Sequence, residues 1–313
     1  MSASVNVVQF PHPGAEHRPG RTDAMPWNSG AHRRKFLRSP GSWVDGCGAV
    51  NRGDMTFWGE WEAPSRIARR WPADGHLPRF LHQPVLSDPP VGRYVQNTDP
   101  LVFGHRFRYS NCKQFDTTHG RPSGLQDLAR GSIILFGSRL GGEFFVLDTV
   151  FVVADGRPFS LGDPDCLADE PFVQRVVVEP LRSGAGGQQR KYTLFDGAMY
   201  DEPVEGMYSF VPGLPVDGEP QRFARPVIEL PGFINPLSHQ SPRSYTARDS
   251  VALDAARNAW RAVTDRVLAA GCVLGFDLEE PRWTSAVPPG RVGGEPASAP
   301  SPCGAGPAAR AHC

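Results

Sequence analysis

The stretch "GSIILFGSRLGGEFFVLDTVFVV", residues 131–153, contains the clearest β-strand patterns in the chain. Its apolar runs, Ile133–Phe136 and Phe144–Val153, flank a glycine-rich connection, which predicts a β-hairpin. Neither run alternates apolar with polar residues, so we expect a hairpin that is buried on both faces or wrapped into a barrel. The hairpin indicates that the fold is built around a β-sheet.

Weaker signals on both sides of the hairpin complete the predicted fold. Apolar residues recur at three- and four-residue spacing from Asp249 to Ala270, which predicts an amphipathic helix, with a strand at "CVLGFDL" after it. A short helix is predicted within residues 120–130, and further strands at residues 5–8, 173–178, 191–195 and 207–211. No regular βαβ alternation or P-loop occurs. We therefore predict an α+β fold with a mixed or antiparallel, barrel-like sheet and a few flanking helices.

The composition of the chain changes at residue 284. From Thr284 onward the sequence is mostly Pro, Gly, Ala and Ser without apolar periodicity, which predicts a disordered tail at 284–313. Residues 1–283 are long enough to bury a sizeable core, and we expect a single α+β domain there. Within it, residues 1–130 form a basic, His- and Trp-rich half, and residues 131–283 supply the hairpin, further strands and the C-terminal helix.

The net charge of zero conceals a gradient along the chain. Residues 1–130 carry 17 Lys and Arg against 11 Asp and Glu, together with seven of the nine His and five of the seven Trp. Such a basic half suits a phosphate-bearing or nucleic-acid ligand, although a surplus of this size is also typical of a solvated surface. No stretch approaches the roughly 18 apolar residues of a membrane span, and no signal-peptide pattern begins the chain. We therefore expect a cytoplasmic protein without membrane contact.

The stretch "FPHPGAEH", residues 10–17, suggests a metal site through His12, Glu16 and His17. Zincin motifs hold such ligands on one helix face, which Pro13 and Gly14 oppose, so we predict a turn with hydrogen-bonding histidines and no metal site. If the protein is an enzyme, the candidate catalytic groups are His12, His17 and Asp99. Asp99 in "QNTDP" is a candidate base in basic surroundings, although it is also a good turn former.

Other polar and aromatic residues of the basic half are candidates for binding a ligand. Arginines contact phosphate, aromatic rings stack on bases, and a carboxylate beside a ring can accept from an exocyclic amine. The alternative is that the tryptophans belong to the core and the charged residues face water. The candidate ligand-binding residues are Trp27, Asn28, His32, Arg33, Arg34, Trp58, Glu60, Asn97, Tyr109, Asn111 and Lys113.

The segments "SNCKQ", "LQDLARGSIILFG" and "FFVLDTVFVV" follow one another between Tyr109 and Val153. In this order they resemble the PUA-like superfamily, especially its EVE and ASCH modules. The sequence departs from that pattern at Ser132, where Asp is usual, and at Phe136, where Tyr is common. The resemblance implies a small barrel with a pocket for a modified base or nucleotide, and Asn111 as a pocket residue.

Three classes of function are consistent with these observations. The leading hypothesis is a protein that binds a nucleotide or a nucleic-acid base, including a modified base. The first alternative is a hydrolytic or nucleotide-modifying enzyme that uses the His and Asp groups of the first half. The second is a protein-interaction module that contacts its partner through exposed tryptophans such as Trp58. The residues indicate neither a cofactor nor an oligomeric state.

Overall fold

The structure is a computed structural model that describes residues 5–116, 119–141, 143–163, 165–184, 190–235 and 251–284. It is mostly β-sheet with few helices, which confirms the predicted α+β class with a barrel-like sheet. The predicted tail lies outside the described residues, apart from Thr284. No helix in the described ranges is long and apolar enough to cross a membrane.

The strands and helices alternate irregularly along the chain. The strands are β1 (Val7–Pro11), β2 (Ala24–Met25), β3 (Lys35–Val44), β4 (Val50–Gly59), β5 (Ser65–Arg70), β6 (Phe80–Pro84), β7 (Arg108–Tyr109), β8 (Phe115–Asp116), β9 (Arg121–Pro122), β10 (Ile133–Leu140), β11 (Phe144–Ser160), β12 (Lys191–Gly197), β13 (Val211–Pro215) and β14 (Val273–Phe276). The helices are α1 (Pro171–Val173), α2 (Glu179–Gly184) and α3 (Leu253–Ala269), with a 3-10 turn at Gly124–Gln126 and a π turn at Gln174–Val178. The predicted hairpin is β10–β11.

The first sheet has the strand order β1-β10-β11-β12-β7 and is built around this hairpin. Strand β1 runs parallel to β10, and β10 runs antiparallel to β11. Alternate residues of β10 pack into two different apolar clusters. Ile134 and Phe136 belong to one cluster, and Ile133 and Leu135 belong to the other. The hairpin is therefore buried on both faces, as its uninterrupted apolar runs predict.

The second sheet has the strand order β14-β13-β4-β3-β6-β5-β2, and β14 also pairs with β3. The strands β3, β4, β13 and β14 thus close a ring, which gives the sheet its barrel-like character. The long β3–β4 hairpin aligns Lys35 at the start of β3 with Gly59 at the end of β4. The residues just before β3 and just after β4 are consequently neighbours.

The segment "VQRVVV" is helical, so the predicted strand at 173–178 is wrong. Its β-branched residues favour a strand, but Pro171 begins a helical turn and Val176–Val178 bury their side chains in the core as part of it. The predicted helix between Asp249 and Ala270 is confirmed as α3, and strands β1, β12 and β14 lie where the sequence predicts strands. The helix predicted within 120–130 is a single 3-10 turn.

A β-bulge in the central hairpin determines where the chain leaves β1. The register of β10 against β11 shifts between Phe136 and Gly137, and Gly137 O accepts a hydrogen bond from His12 N at 2.7 Å. A Cβ atom at position 137 would lie 2.1 Å from Val146 O and 2.6 Å from Phe145 Cζ. Only glycine fits this close approach, and the approach fixes the backbone of His12.

We expect Gly137→Ala to lower the free energy of unfolding by about 1–3 kcal/mol, because the added methyl group forces neighbouring backbone apart. Urea denaturation followed by circular dichroism measures this change. Gly46→Ala is the matched control, since a Cβ atom there meets nothing within 4 Å. Equal stability of the two variants would contradict the close approach at Gly137.

Candidate functional site

Two buried glutamates follow directly after β4. Glu60 is 2% exposed and Glu62 is 0% exposed. Between them, the ring of Trp61 packs against Phe103 at a centroid distance of 5.1 Å. Both carboxylates contact His32, so they lie on one side of the chain while Trp61 enters the core on the other. This alternation is the one expected of extended chain, and it brings two negative charges together inside the protein.

His32 lies between the two carboxylates. Its Nδ1 atom is 3.2 Å from Glu60 Oε1 and 3.0 Å from Glu62 Oε1. Its side chain is 28% exposed, so it is the member of this group that faces solvent. Burial alone would lower the pKa of His32, but the hydrogen bonds and charges of the two glutamates raise it to about 10. His32 is therefore an imidazolium at neutral pH, held by two buried anions.

Arg34 is the second cation of the site and is as deeply buried as the glutamates. Its Nη1 atom donates to Glu60 Oε2 at 2.6 Å, and its Nε atom lies 3.3 Å from Asp148 Oδ2. Asp148 belongs to β11 in the first sheet, whereas Glu60 follows β4 in the second. The guanidinium group of Arg34 thus links the two sheets through buried ion pairs.

Arg225 extends the ionic network beyond Asp148. Its Nη1 atom lies 3.4 Å from Asp148 Oδ1 and donates to Ser138 Oγ at 2.5 Å, while Nη2 donates to Gly14 O at 2.9 Å. The network contains three cations and three anions, which are His32, Arg34, Arg225, Glu60, Glu62 and Asp148. Its charges balance, as a buried ionic cluster requires.

His12 approaches Glu60 from the side opposite to His32. Its Nδ1 atom is 3.3 Å from Glu60 Oε2 but lacks the alignment of a hydrogen bond, although the side chain is only 7% exposed. The edge of its ring packs against Phe10 at a centroid distance of 4.8 Å. Burial and the neighbouring charge of Arg34 lower the pKa of His12 to about 4. His12 is therefore a neutral imidazole next to a carboxylate.

Asp99 holds the neighbouring loop against Glu60. Its carboxylate accepts from the backbone N–H groups of Ser110 at 2.8 Å, Asn111 at 3.0 Å and Cys112 at 2.6 Å. Its own N–H donates to Glu60 Oε1 at 3.3 Å. Burial raises the pKa of Asp99 to about 6 against the opposing effect of these hydrogen bonds. Since both oxygens are engaged, its geometry is that of a positioning residue and does not favour the predicted role as a base.

Asparagine side chains surround the carboxylates. Asn28 Nδ2 donates to Glu62 Oε2 and, at 3.1 Å, to Ala31 O. Asn97 Nδ2 donates to Asn111 Oδ1 at 2.8 Å, in the loop that Asp99 holds. The structure thus brings together most of the polar candidates, which are His12, Asn28, His32, Arg34, Glu60, Asn97, Asp99 and Asn111.

The aromatic candidates are packed in the core, and the ring of Trp58 lies 5.0 Å from the guanidinium carbon of Arg225, a member of the network. Trp58 is buried against Phe36 and donates from Nε1 to Phe223 O at 3.1 Å. The ring of Tyr109 stacks on Phe195 with a centroid distance of 5.8 Å. Trp27 is also buried. These rings pack against the protein's own side chains. Trp27 and Trp58 are therefore core residues, as the alternative prediction has it.

A cavity of about 360 Å³ opens beside the buried network. Its lining includes Asn28, the hydrogen-bond donor to Glu62, together with the exposed residues Arg18 and Arg33. His17 forms part of its wall, and burial and the charges of Lys35 and Arg33 lower the pKa of His17 to about 4. Two exposed arginines therefore line a cavity whose wall includes Asn28, the residue that donates to Glu62.

The remaining candidate, Lys113, lies against the first strand. Its Nζ atom donates to Pro11 O at 3.2 Å and stands 4.7 Å from the centroid of the Phe10 ring. A larger cavity, of about 570 Å³, is lined by the Arg38–Asp54 ion pair and by none of the candidate residues. The smaller cavity is therefore the one that the sequence-derived candidates define.

Three members of the ionic network, Glu62, Asp148 and Arg225, are not among the site residues predicted from the sequence. Asp148 could have been predicted, because it is the only charged residue of the apolar run "FFVLDTVFVV". A charge in a strand buried on both faces needs a buried partner. Arg225 stands in an irregular segment without any pattern, and its pairing with Asp148 spans 77 residues. Such long-range pairs are set by the fold and not by local sequence.

No protein-family model, curated protein or solved structure matches this chain. The chemistry of the site is therefore the basis for a functional proposal. That chemistry consists of a charge-balanced, buried network of His, Arg and carboxylate groups beside a cavity with an arginine-lined opening.

Replacing Glu60 by Gln keeps the size of the side chain but removes the charge that Arg34 and His32 share. A buried arginine without its counter-ion is costly, so we expect the free energy of unfolding to fall by about 3–5 kcal/mol. Urea denaturation at neutral pH measures the change. Asp23→Asn, which breaks an exposed pair with Arg70, is the matched control and should cost less than about 1 kcal/mol. A Glu60→Gln loss no larger than that of the control would contradict a buried ionic role for Glu60.

Proposed function

We propose that this protein binds a nucleotide or a nucleotide-like small molecule in the cavity beside Glu60 and Glu62. The observation that supports the proposal most is the position of Arg18 and Arg33 on this cavity, next to a polar wall. An arginine-lined opening suits an anionic group, and a polar wall suits the edge of a base.

The arginines are suited to phosphate because their guanidinium groups present paired donors to phosphate oxygens. The buried network balances its own charges, so it does not cancel the positive potential of Arg18 and Arg33 at the opening. An anionic ligand is therefore favoured over a neutral or cationic one.

The polar wall is suited to the amino group of a base because its oxygens keep acceptor capacity. Asn28 Oδ1 accepts from Gly30 N at 2.9 Å, Gly30 O from Gln96 Nε2 at 2.7 Å and Ala31 O from Asn28 Nδ2 at 3.1 Å. Each of these carbonyl oxygens has a second lone pair. The resemblance of residues 109–153 to PUA-like modules, which implies a pocket for a base, points to the same class of ligand. A single nucleotide is favoured over a nucleic-acid strand, because the rings of Trp58 and Tyr109 are packed in the core and unavailable for stacking.

A second candidate function is catalysis on such a ligand. Glu60 has a neutral imidazole, His12, near one oxygen and a charged imidazole, His32, near the other. Their pKa values, about 4 and about 10, lie on opposite sides of neutrality. Environments that separate two titratable groups in this way are typical of acid–base pairs in hydrolytic or nucleotide-modifying enzymes. Appearance of a new product during incubation with a bound nucleotide would distinguish catalysis from binding alone.

Isothermal titration calorimetry with a panel of nucleoside mono-, di- and triphosphates tests the proposal. We expect at least one nucleotide to bind, and Arg33→Ala and Arg18→Ala to weaken its binding about tenfold or more, because each removes a charge-assisted hydrogen bond. The affinity should also fall with added salt.

Arg66→Ala is the matched control for the arginine variants, since Arg66 is exposed and lines the larger cavity. Its nucleotide affinity should equal that of the unaltered protein. Absence of binding by every nucleotide in the panel would overturn the proposal. If only Arg66→Ala lost nucleotide binding, the nucleotide would bind in the larger cavity and not in the one beside Glu62.

A further inference from the structure

We propose that His32, Glu60 and Glu62 bind one divalent transition-metal ion such as Mn²⁺, Fe²⁺ or Zn²⁺. One potential ligand atom from each of His32, Glu60 and Glu62 lies within 4.8 Å of the others. Imidazole nitrogen together with carboxylate oxygen is the donor set that these ions take in proteins. This inference goes beyond nucleotide binding and does not rest on it.

The distances between donor atoms match those around one ion. Ligand atoms about 2.1 Å from a metal lie roughly 3.0–3.5 Å from each other along the edges of a tetrahedron or octahedron. His32 Nδ1 is 3.2 Å from Glu60 Oε1 and 3.0 Å from Glu62 Oε1. Both carboxylate oxygens are thus as close to His32 Nδ1 as shared coordination requires, and the three donor atoms lie within 4.8 Å of one another.

His12 lies on the other side of Glu60, outside this donor set. Its Nδ1 atom is 3.3 Å from Glu60 Oε2, the oxygen that also accepts from Arg34, whereas His32 contacts Oε1. The ion would therefore lie on the Oε1 side of Glu60, next to the partly exposed His32.

The charges of the surroundings are compatible with a divalent ion. Arg34 pairs with both Glu60 and Asp148, and Arg225 also pairs with Asp148. The two arginines therefore compensate Glu60 and Asp148 and leave the charge of Glu62, which attracts a divalent ion placed between Glu60 and Glu62. The ion would lower the repulsion between these carboxylates and a phosphate in the neighbouring cavity.

The test uses the full chain without a histidine tag, stripped with a chelator and titrated with MnCl₂ or ZnCl₂ alone by calorimetry. We expect one ion per chain. Glu62→Gln and His32→Asn should each weaken binding about tenfold or more, because each removes a ligand. No nucleotide is present, so failure of the nucleotide proposal leaves this result unaffected, and the reverse is also true.

His105→Asn is the matched control. His105 also lies between two carboxylates, Asp201 and Asp277, but at 61% exposure it is open to water. Its loss should leave the metal affinity unchanged. The proposal is overturned if the unaltered protein binds neither ion, if both ligand variants bind as tightly as it does, or if His105→Asn abolishes binding.

A spectroscopic measurement covers the case in which the ligand variants do not fold. Pulsed electron paramagnetic resonance of Mn²⁺ bound to the unaltered protein detects coupling to directly ligated nitrogen. Coupling to imidazole nitrogen is the expected result. Bound Mn²⁺ with only oxygen ligands would overturn the assignment of His32 as a ligand.

Discussion

The carboxylate of Glu60 is the group around which the site and the contact between the sheets are organised. It follows β4 of the second sheet and accepts from Arg34, which in turn reaches Asp148 on β11 of the first sheet. It also contacts His12, at the end of β1, and accepts from the N–H of Asp99. A buried charge is tolerated only when it is fully paired, so these contacts fix the positions of four separate segments.

A buried ionic network costs more desolvation free energy than an apolar interface of similar volume. Apolar residues of similar volume often stabilise a fold as well as a buried ion pair does. The network here contains His32, which is partly exposed, and it borders a cavity lined by Arg18 and Arg33. Perturbed titratable groups beside a cavity are typical of functional sites. The network therefore combines the two features, perturbed titratable groups and a neighbouring cavity, on which the proposal of a ligand rests.

The sequence predicted the central hairpin and the long helix, but it did not predict β2 to β6 of the second sheet, and the strand predicted at 207–211 meets β13 only at Val211. The hairpin β10–β11 and the helix α3 follow from apolar periodicity, which is a local property. The helical segment around Val176–Val178 was missed because β-branched residues favour strands until tertiary packing overrides them. Among the site residues, His12, Arg34 and Glu60 were identified by residue type and setting.

Neither the ion-pair partner of a buried charge nor the side of the strand on which a residue lies could be predicted from local sequence. The pairing of Arg34 with Asp148 joins residues more than a hundred positions apart, and no local pattern encodes it. The side of the chain on which Trp58 and Glu60 lie depends on where β4 ends and what covers each face. For that reason Trp58 proved to be a core residue, whereas Glu60 turned toward His32 and Arg34.

NMR titration of ¹⁵N-labelled, metal-free protein measures directly whether two buried carboxylates hold His32 as a cation. We expect His32 to stay charged far above its ordinary pKa, up to about 10, and His12 to stay neutral down to about 4. The stabilising contribution of His32 is then complete below its unfolded pKa of about 6.5 and is lost as the pH rises from there toward 10. Titration of His32 near pH 6.5 would show that the carboxylates do not hold it as a cation.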